Sequence, residues 1–162
     1  MFIAGINPTQ VWTSSETPPF AKGALGAGHD GKLYRFVQMD SGGATAAGYV
    51  VAITPSNVGD MVETTVSTPG TAAGLPVGVA MAAIAASGYG WLCVYGSGVP
   101  VQVSASCAKG TLINTTATAG QLDDDATVGA EVIQGLALEA ARAASPGTAN
   151  ASLGFPHIGR TL

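Results

Sequence analysis

The chain has 162 residues, 47% of them hydrophobic and only 10% charged, with a formal charge of −4. That length suits one domain or two very small ones, able to bury about 68–70% of the unfolded surface without disulfide or metal staples. The glycines follow no period of three, the helix-forming charged residues are few, and the apolar content is high; a collagen helix, a coiled coil and wholesale disorder are excluded.

Residues 1–24 read as an extended N-terminal arm. Asn7-Pro8, Ser14-Ser15 and Thr17-Pro18-Pro19 break any periodicity, and each residue before a proline is pushed toward extended backbone. The opening residues carry no basic cluster, so no secretory signal is expected. The arm nevertheless holds Phe2, Ile3, Ile6, Val11, Trp12 and Phe20. Six large apolar side chains are costly to leave in water. They either pack back onto the domain or lie on another protein; ordering on a partner is the expectation taken forward.

Residues 25–162 read as a β-rich domain. Gly26-Ala27-Gly28-His29-Asp30-Gly31 matches the glycine pattern of dinucleotide-binding loops, but that motif needs a strand before it and a helix after it. Prolines precede it and the strand-like run Leu33–Gln38 follows, so a turn carrying Asp30-Gly31 into a strand is predicted. Further strand-like runs are 48–54, 60–66 (with Met61, Glu63 and Thr65 on one face), 77–84, 91–95, 99–103, 111–115, 133–138 and 152–155. Eight or nine short strands at intervals of about 8–12 residues predict an all-β fold, a small barrel or sandwich. The alanine-rich stretches 79–86 and 131–144 could be helical, but the second lacks a clean 3.6-residue period and contains Gly135; both are read as strand. No charge occurs from Thr64 to Ala108. The most apolar part, 75–96, is interrupted by Pro76 and several glycines, so buried short strands are expected and no membrane span.

A weak internal echo runs through these strands. Val37-Gln38, Gly48-Tyr-Val-Val and Val77-Gly-Val-Ala recur as Val101-Gln102, Gly110-Thr-Leu-Ile and Gln134-Gly-Leu-Ala. The spacing suggests two related half-motifs, about 25–96 and 97–162.

Residues that could carry chemistry are sparse. The basic residues Lys22, Lys32, Arg35, Lys109, Arg142 and Arg160 form no stripe, so no nucleic-acid partner is expected. His29 and His157 are the sole histidines, and neither adjoins a nucleophile motif. Asp123-Asp124-Asp125 reads as a solvated turn, since consecutive strand residues point apart. Cys93 and Cys107 read as buried reduced thiols. No catalytic, cofactor-binding or metal-binding residues are expected, and the chain is read as not an enzyme. Tyr89, Trp91 and Tyr95 share strand parity and, with Tyr34 and Tyr49, could line a sugar-binding platform; Trp91 and Phe36 fit better as core.

The segment Asp30-Gly31-Lys32-Leu33-Tyr34-Arg35-Phe36-Val37-Gln38, followed by Gly42-Gly43-Ala44-Thr45-Ala46-Ala47-Gly48, resembles small virion proteins of tailed bacteriophages. Leu75–Ala83 and Gln134–Ala141 are similar in style to phage head decoration, or capsid cement, proteins. The resemblance covers about residues 25–155 and is most specific at Tyr34–Gln38. It implies a structural protein, commonly trimeric, that binds the major capsid protein on the outside of an expanded shell. Such a protein is assembled in the host cytoplasm and clamps capsomers without a cofactor. On this reading Phe2, Ile3, Ile6, Val11 and Trp12 are the expected capsid-facing anchors. The alternatives are a tail tube, connector or baseplate subunit, or a carbohydrate-binding β-module.

Overall fold

The computed structural model describes residues 2–64, 73–125 and 127–162, which contain eleven strands and no helix. The fold is all-β. The strands are β1 (Phe2–Ile6), β2 (Leu25–Gly28), β3 (Leu33–Met39), β4 (Val50–Ile53), β5 (Val58–Met61), β6 (Val77–Ala80), β7 (Tyr89–Val103), β8 (Asn114–Thr115), β9 (Leu122–Asp123), β10 (Glu131–Leu138) and β11 (Gly147–Thr161). Both alanine-rich stretches are free of helix; both were expected as strand, but strand ends at Ala80 in the first and at Leu138 in the second, where Gly135 sits in a bulge. Thr65 and Val66, expected to extend the strand after Asp60, lie outside the described residues.

All eleven strands join one sheet that closes on itself twice. In the first ring β3 pairs β5 in parallel, β5 pairs β4, β4 pairs β6, β6 pairs β7, and β7 returns to β3. In the second ring β7 pairs β9 in parallel, β9 pairs β8, β8 pairs β10, β10 pairs β11, and β11 returns to β7. The order and sense of pairing are the same in both rings. Equivalent loop bonds recur as well. Asp40 N–H donates to Gly59 O at 2.8 Å, as Ser104 N–H does to Leu122 O at 2.9 Å. Ile84 N–H donates to Thr45 O at 3.1 Å, as Arg142 N–H does to Cys107 O at 2.8 Å.

The rings are not separate units, and the boundary expected near 96–97 falls inside β7. Runs 91–95 and 99–103, expected as two strands, form one 15-residue strand. Residues 89–95 serve the first ring and 99–103 the second. The glycines at 96 and 98, with φ of 132° and 65°, bend the strand without ending it. The run expected at 152–155 is likewise the middle of the 15-residue β11.

Alternation along the strands divides the core. Val37, Met39, Val51, Ile53, Ala80, Ile84, Leu92 and Val94 fill the first ring. The opposite face, with Tyr34, Phe36, Trp91 and Cys93, joins the residues that fill the second ring in one larger cluster. Large aromatics on the outer face of a small barrel need cover, and the arm supplies it.

The arm is therefore not extended away from the domain. β1 adds to the chain's own sheet, parallel to β2, with Phe2 opposite Leu25 and Ala4 opposite Ala27. Ile6 is only 4% exposed. It fits because β2 presents Gly26, where a Cβ would come within 2.8 Å of Ile6 Cγ2. Trp12 bridges Tyr89 through two backbone bonds of 2.9 and 2.8 Å. Its ring meets Phe20 and Phe36 edge-on, with centroids 5.7 and 5.4 Å apart. Phe20 and Phe36 in turn pack on Trp91 at 5.1 and 5.0 Å. Such ring pairs contribute about 0.5–1.5 kcal/mol each beyond the area they bury.

Candidate interaction surface

The five expected anchors separate into two groups. Ile6 is buried in the core, and Ile3 and Trp12 are half-buried against it. Their apolar surface is largely spent inside the chain, against the outer face of the first ring. Phe2, 62% exposed, and Val11, 42% exposed, remain open to solvent.

Among the described residues, ring closure gives every strand from β2 to β11 a neighbour on both sides, and β1 has only one. Its outer edge therefore carries unpaired backbone donors and acceptors, with Phe2 beside them. An open, uncharged edge is a template for pairing with another chain. β1, Phe-Ile-Ala-Gly-Ile, contains none of the charges or prolines that usually blunt such an edge.

A second exposed apolar feature went unread in the sequence. Tyr95 and Phe155, 46% and 53% exposed, lie with ring centroids 5.4 Å apart. They meet because β11 bulges: Gln134 pairs with His157 and Leu136 with Leu153, so Gly154, Phe155 and Pro156 all oppose Gly135. Gly135 has φ of 76°, and a Cβ there would sit 3.0 Å from Gly154 O. Phe155 itself has φ of 52°, a rare conformation for a bulky residue. Gly135 and Pro156 were visible as residues, but a bulge depends on the partner strand and leaves no local periodicity.

The residues considered for chemistry do not converge. His29 lies exposed in the β2–β3 turn, and His157 is 3.0 Å from Gln134 Oε1 through its Nε2. Among the described residues, neither histidine is hydrogen-bonded to a serine, cysteine or carboxylate. The possible sugar platform is dispersed: Tyr34 and Trp91 are fully buried, Tyr89 stacks on Phe36, and Tyr95 is exposed. The turn motif does close on itself. Tyr34 Oη donates to Asp30 Oδ2 at 2.6 Å, and Lys32 Nζ approaches the same oxygen at 2.9 Å. Burial opposes ionisation of Asp30, but the bonds from Lys32 and Tyr34 together outweigh it and hold its carboxyl at about 2.

Cys93 and Cys107 are both free and buried. Folding brings Cys107 to Asp123 and Asp124, with one ligand atom from each within 4.8 Å of the others. The spacing of 16 residues gave no hint of this meeting. Burial first, then the two carboxylates, pushes the Cys107 thiol up to about 12. These three donors are one fewer than a closed structural zinc site uses. Cys93 is raised to about 11, mainly by burial. Among the described residues no helix is long and apolar enough to cross a membrane; the apolar run 75–96 supplies β6 and part of β7 instead. Neither the comparison with protein-family models nor that with curated proteins gives a match.

Proposed function

We propose that this chain is a structural virion subunit of the head-decoration type, which binds the exterior of a phage capsid and holds neighbouring capsomers together. The observation that carries the reading is the open β1 edge with exposed Phe2, set on a doubly closed and sparsely charged β-scaffold. A clamp needs rigidity and adhesive surface, and closed rings with exposed apolar side chains supply both. The Tyr34–Gln38 segment, which carries the likeness to phage virion proteins, forms the shared wall of the first ring and the arm cluster. A trimer would present three such edges, and once one docks the others bind at high effective concentration.

The test is co-sedimentation with expanded, undecorated shells of the cognate major capsid protein. The full chain is expected to bind saturably, and Phe2→Asp to weaken binding about tenfold or more, the loss of one well-packed aromatic anchor. Phe2→Asp should leave Tm unchanged, since the residue is exposed. Failure of the full chain to bind shells overturns the reading. Rings or tubes by negative stain would assign the chain to a tail tube or connector instead. Deleting residues 1–20 is not a clean test, because it also removes Ile6, Trp12 and Phe20 from the core.

A further inference from the structure

Among the described residues, one end of the first ring is left open. Arg35, Val37 and Met39 share a face of β3, as Leu92 and Val94 share one of β7. Val37, Met39, Leu92 and Val94 fill the ring, so Arg35 stands at its mouth. A cavity of about 160 Å³ lies there, lined by Arg35, Pro76, Val77 and Val94 of the first ring and by Phe155, Pro156 and His157 of the β11 bulge. The two sides are tied by the Pro76–His157 bridge and by Ile158 N–H donating to Leu75 O at 2.9 Å. The cavity is thus built where the second motif crosses the end of the first.

Its chemistry is unusual for a structural gap. The walls are apolar except for Arg35 and His157. Arg35 Nε is buried and has no hydrogen-bond partner. Among the described residues no carboxylate is in ion-pair range of its guanidinium. The stretch 65–72, Thr-Val-Ser-Thr-Pro-Gly-Thr-Ala, contains no acidic residue that could supply one. An unpaired guanidinium donor in an apolar wall carries a desolvation cost that an anion would relieve. Phe155 stands on the rim at φ of 52°, a conformation rarely adopted by a bulky residue. Barrel mouths with apolar walls and a few fixed polar groups are common ligand sites. A volume near 150 Å³ holds one benzene-sized group.

We propose that the mouth of the first ring is a binding site for a carboxylate carried on a benzene-sized apolar group. The apolar body enters the cavity between Val77, Val94 and Phe155, and the carboxylate meets the Arg35 fork. The group could belong to a free small acid or to the end of a peptide; the chemistry is the same. This inference rests on the cavity and not on the shell-binding reading.

The test is an NMR titration of the full chain, following the amides of Val77, Val94, Phe155 and His157. The probes are 3-phenylpropionate, its neutral amide, and Gly-Gly-Phe with a free C-terminal carboxylate. The free acid is expected to give saturable shifts at these amides, with the neutral amide at least about tenfold weaker, the worth of one charge-assisted bond. Saturation by the tripeptide but not the free acid would assign the site to a chain end, and the reverse would assign it to a small acid. Arg35→Gln should remove the preference for acid over amide. Arg35→Lys, which keeps the charge and loses the fork, should reduce it and guards against a folding defect in the first variant. Equal binding of acid and amide, or no saturable shift from either carboxylate by about 10 mM, overturns the proposal.

Discussion

Replacing Trp12 by alanine separates an arm that belongs to the fold from one that waits for a partner. In the structure the indole is half-buried, meets Phe20 and Phe36 edge-on, and is fixed by two backbone bonds to Tyr89. Alanine keeps the backbone bonds and removes the ring. Truncating a fully buried tryptophan costs about 3–5 kcal/mol. Half-burial and the loss of two ring pairs place this one at about 2–3 kcal/mol. For a chain of this length each kcal/mol lowers Tm by about 2–4 °C, so a drop of about 5–10 °C is expected. Differential scanning calorimetry reads it directly. Phe2→Ala is the internal control: it removes an aromatic from the same arm, but one 62% exposed, and should change stability by no more than about 0.5 kcal/mol. A Trp12→Ala variant that melts within about 2 °C of the parent would refute the packing argument and return the whole arm to the role of a free ligand.

Two further outcomes follow from the ionisable groups. Asp30 has a folded pKa near 2, below its unfolded value of about 3.9. Its contribution is therefore complete above the unfolded value and is lost as pH falls through about 2. With the side chain 38% exposed, screening leaves about 1 kcal/mol. Asp30→Asn should lower the urea midpoint near neutral pH and match the parent near pH 2; an equal deficit at both would show that the charge is not responsible. Cys93 and Cys107, raised to about 11 and about 12, should resist a thiol-reactive disulfide reagent in the native protein at about pH 8 and react fully in denaturant. Rapid labelling of the native chain would contradict their burial.

The all-β class was legible because strand preference is written locally, in β-branched and aromatic runs punctuated by glycine, proline and asparagine. The turn at Asp30-Gly31 and the core positions of Phe36 and Trp91 were legible for the same reason. So was the likeness between the halves, since Val37-Gln38 and Val101-Gln102 sit on corresponding strands of the two rings. Strand length was not legible across Gly96-Ser97-Gly98, because a glycine pair that ends one strand can equally bend another. The neighbouring strands decide which.

The arm was the clearest limit of the sequence. Its apolar residues showed that it must lie against something. Whether that surface belonged to this chain depended on Phe36 and Trp91 pointing out of the first ring, a direction fixed only when the ring closes. The meeting of Cys107 with Asp123 and Asp124, the Phe155 bulge and the guanidinium at the barrel mouth have the same origin. Each joins residues far apart in the chain through pairing registers, and register is a property of two strands together, which no single stretch of sequence contains.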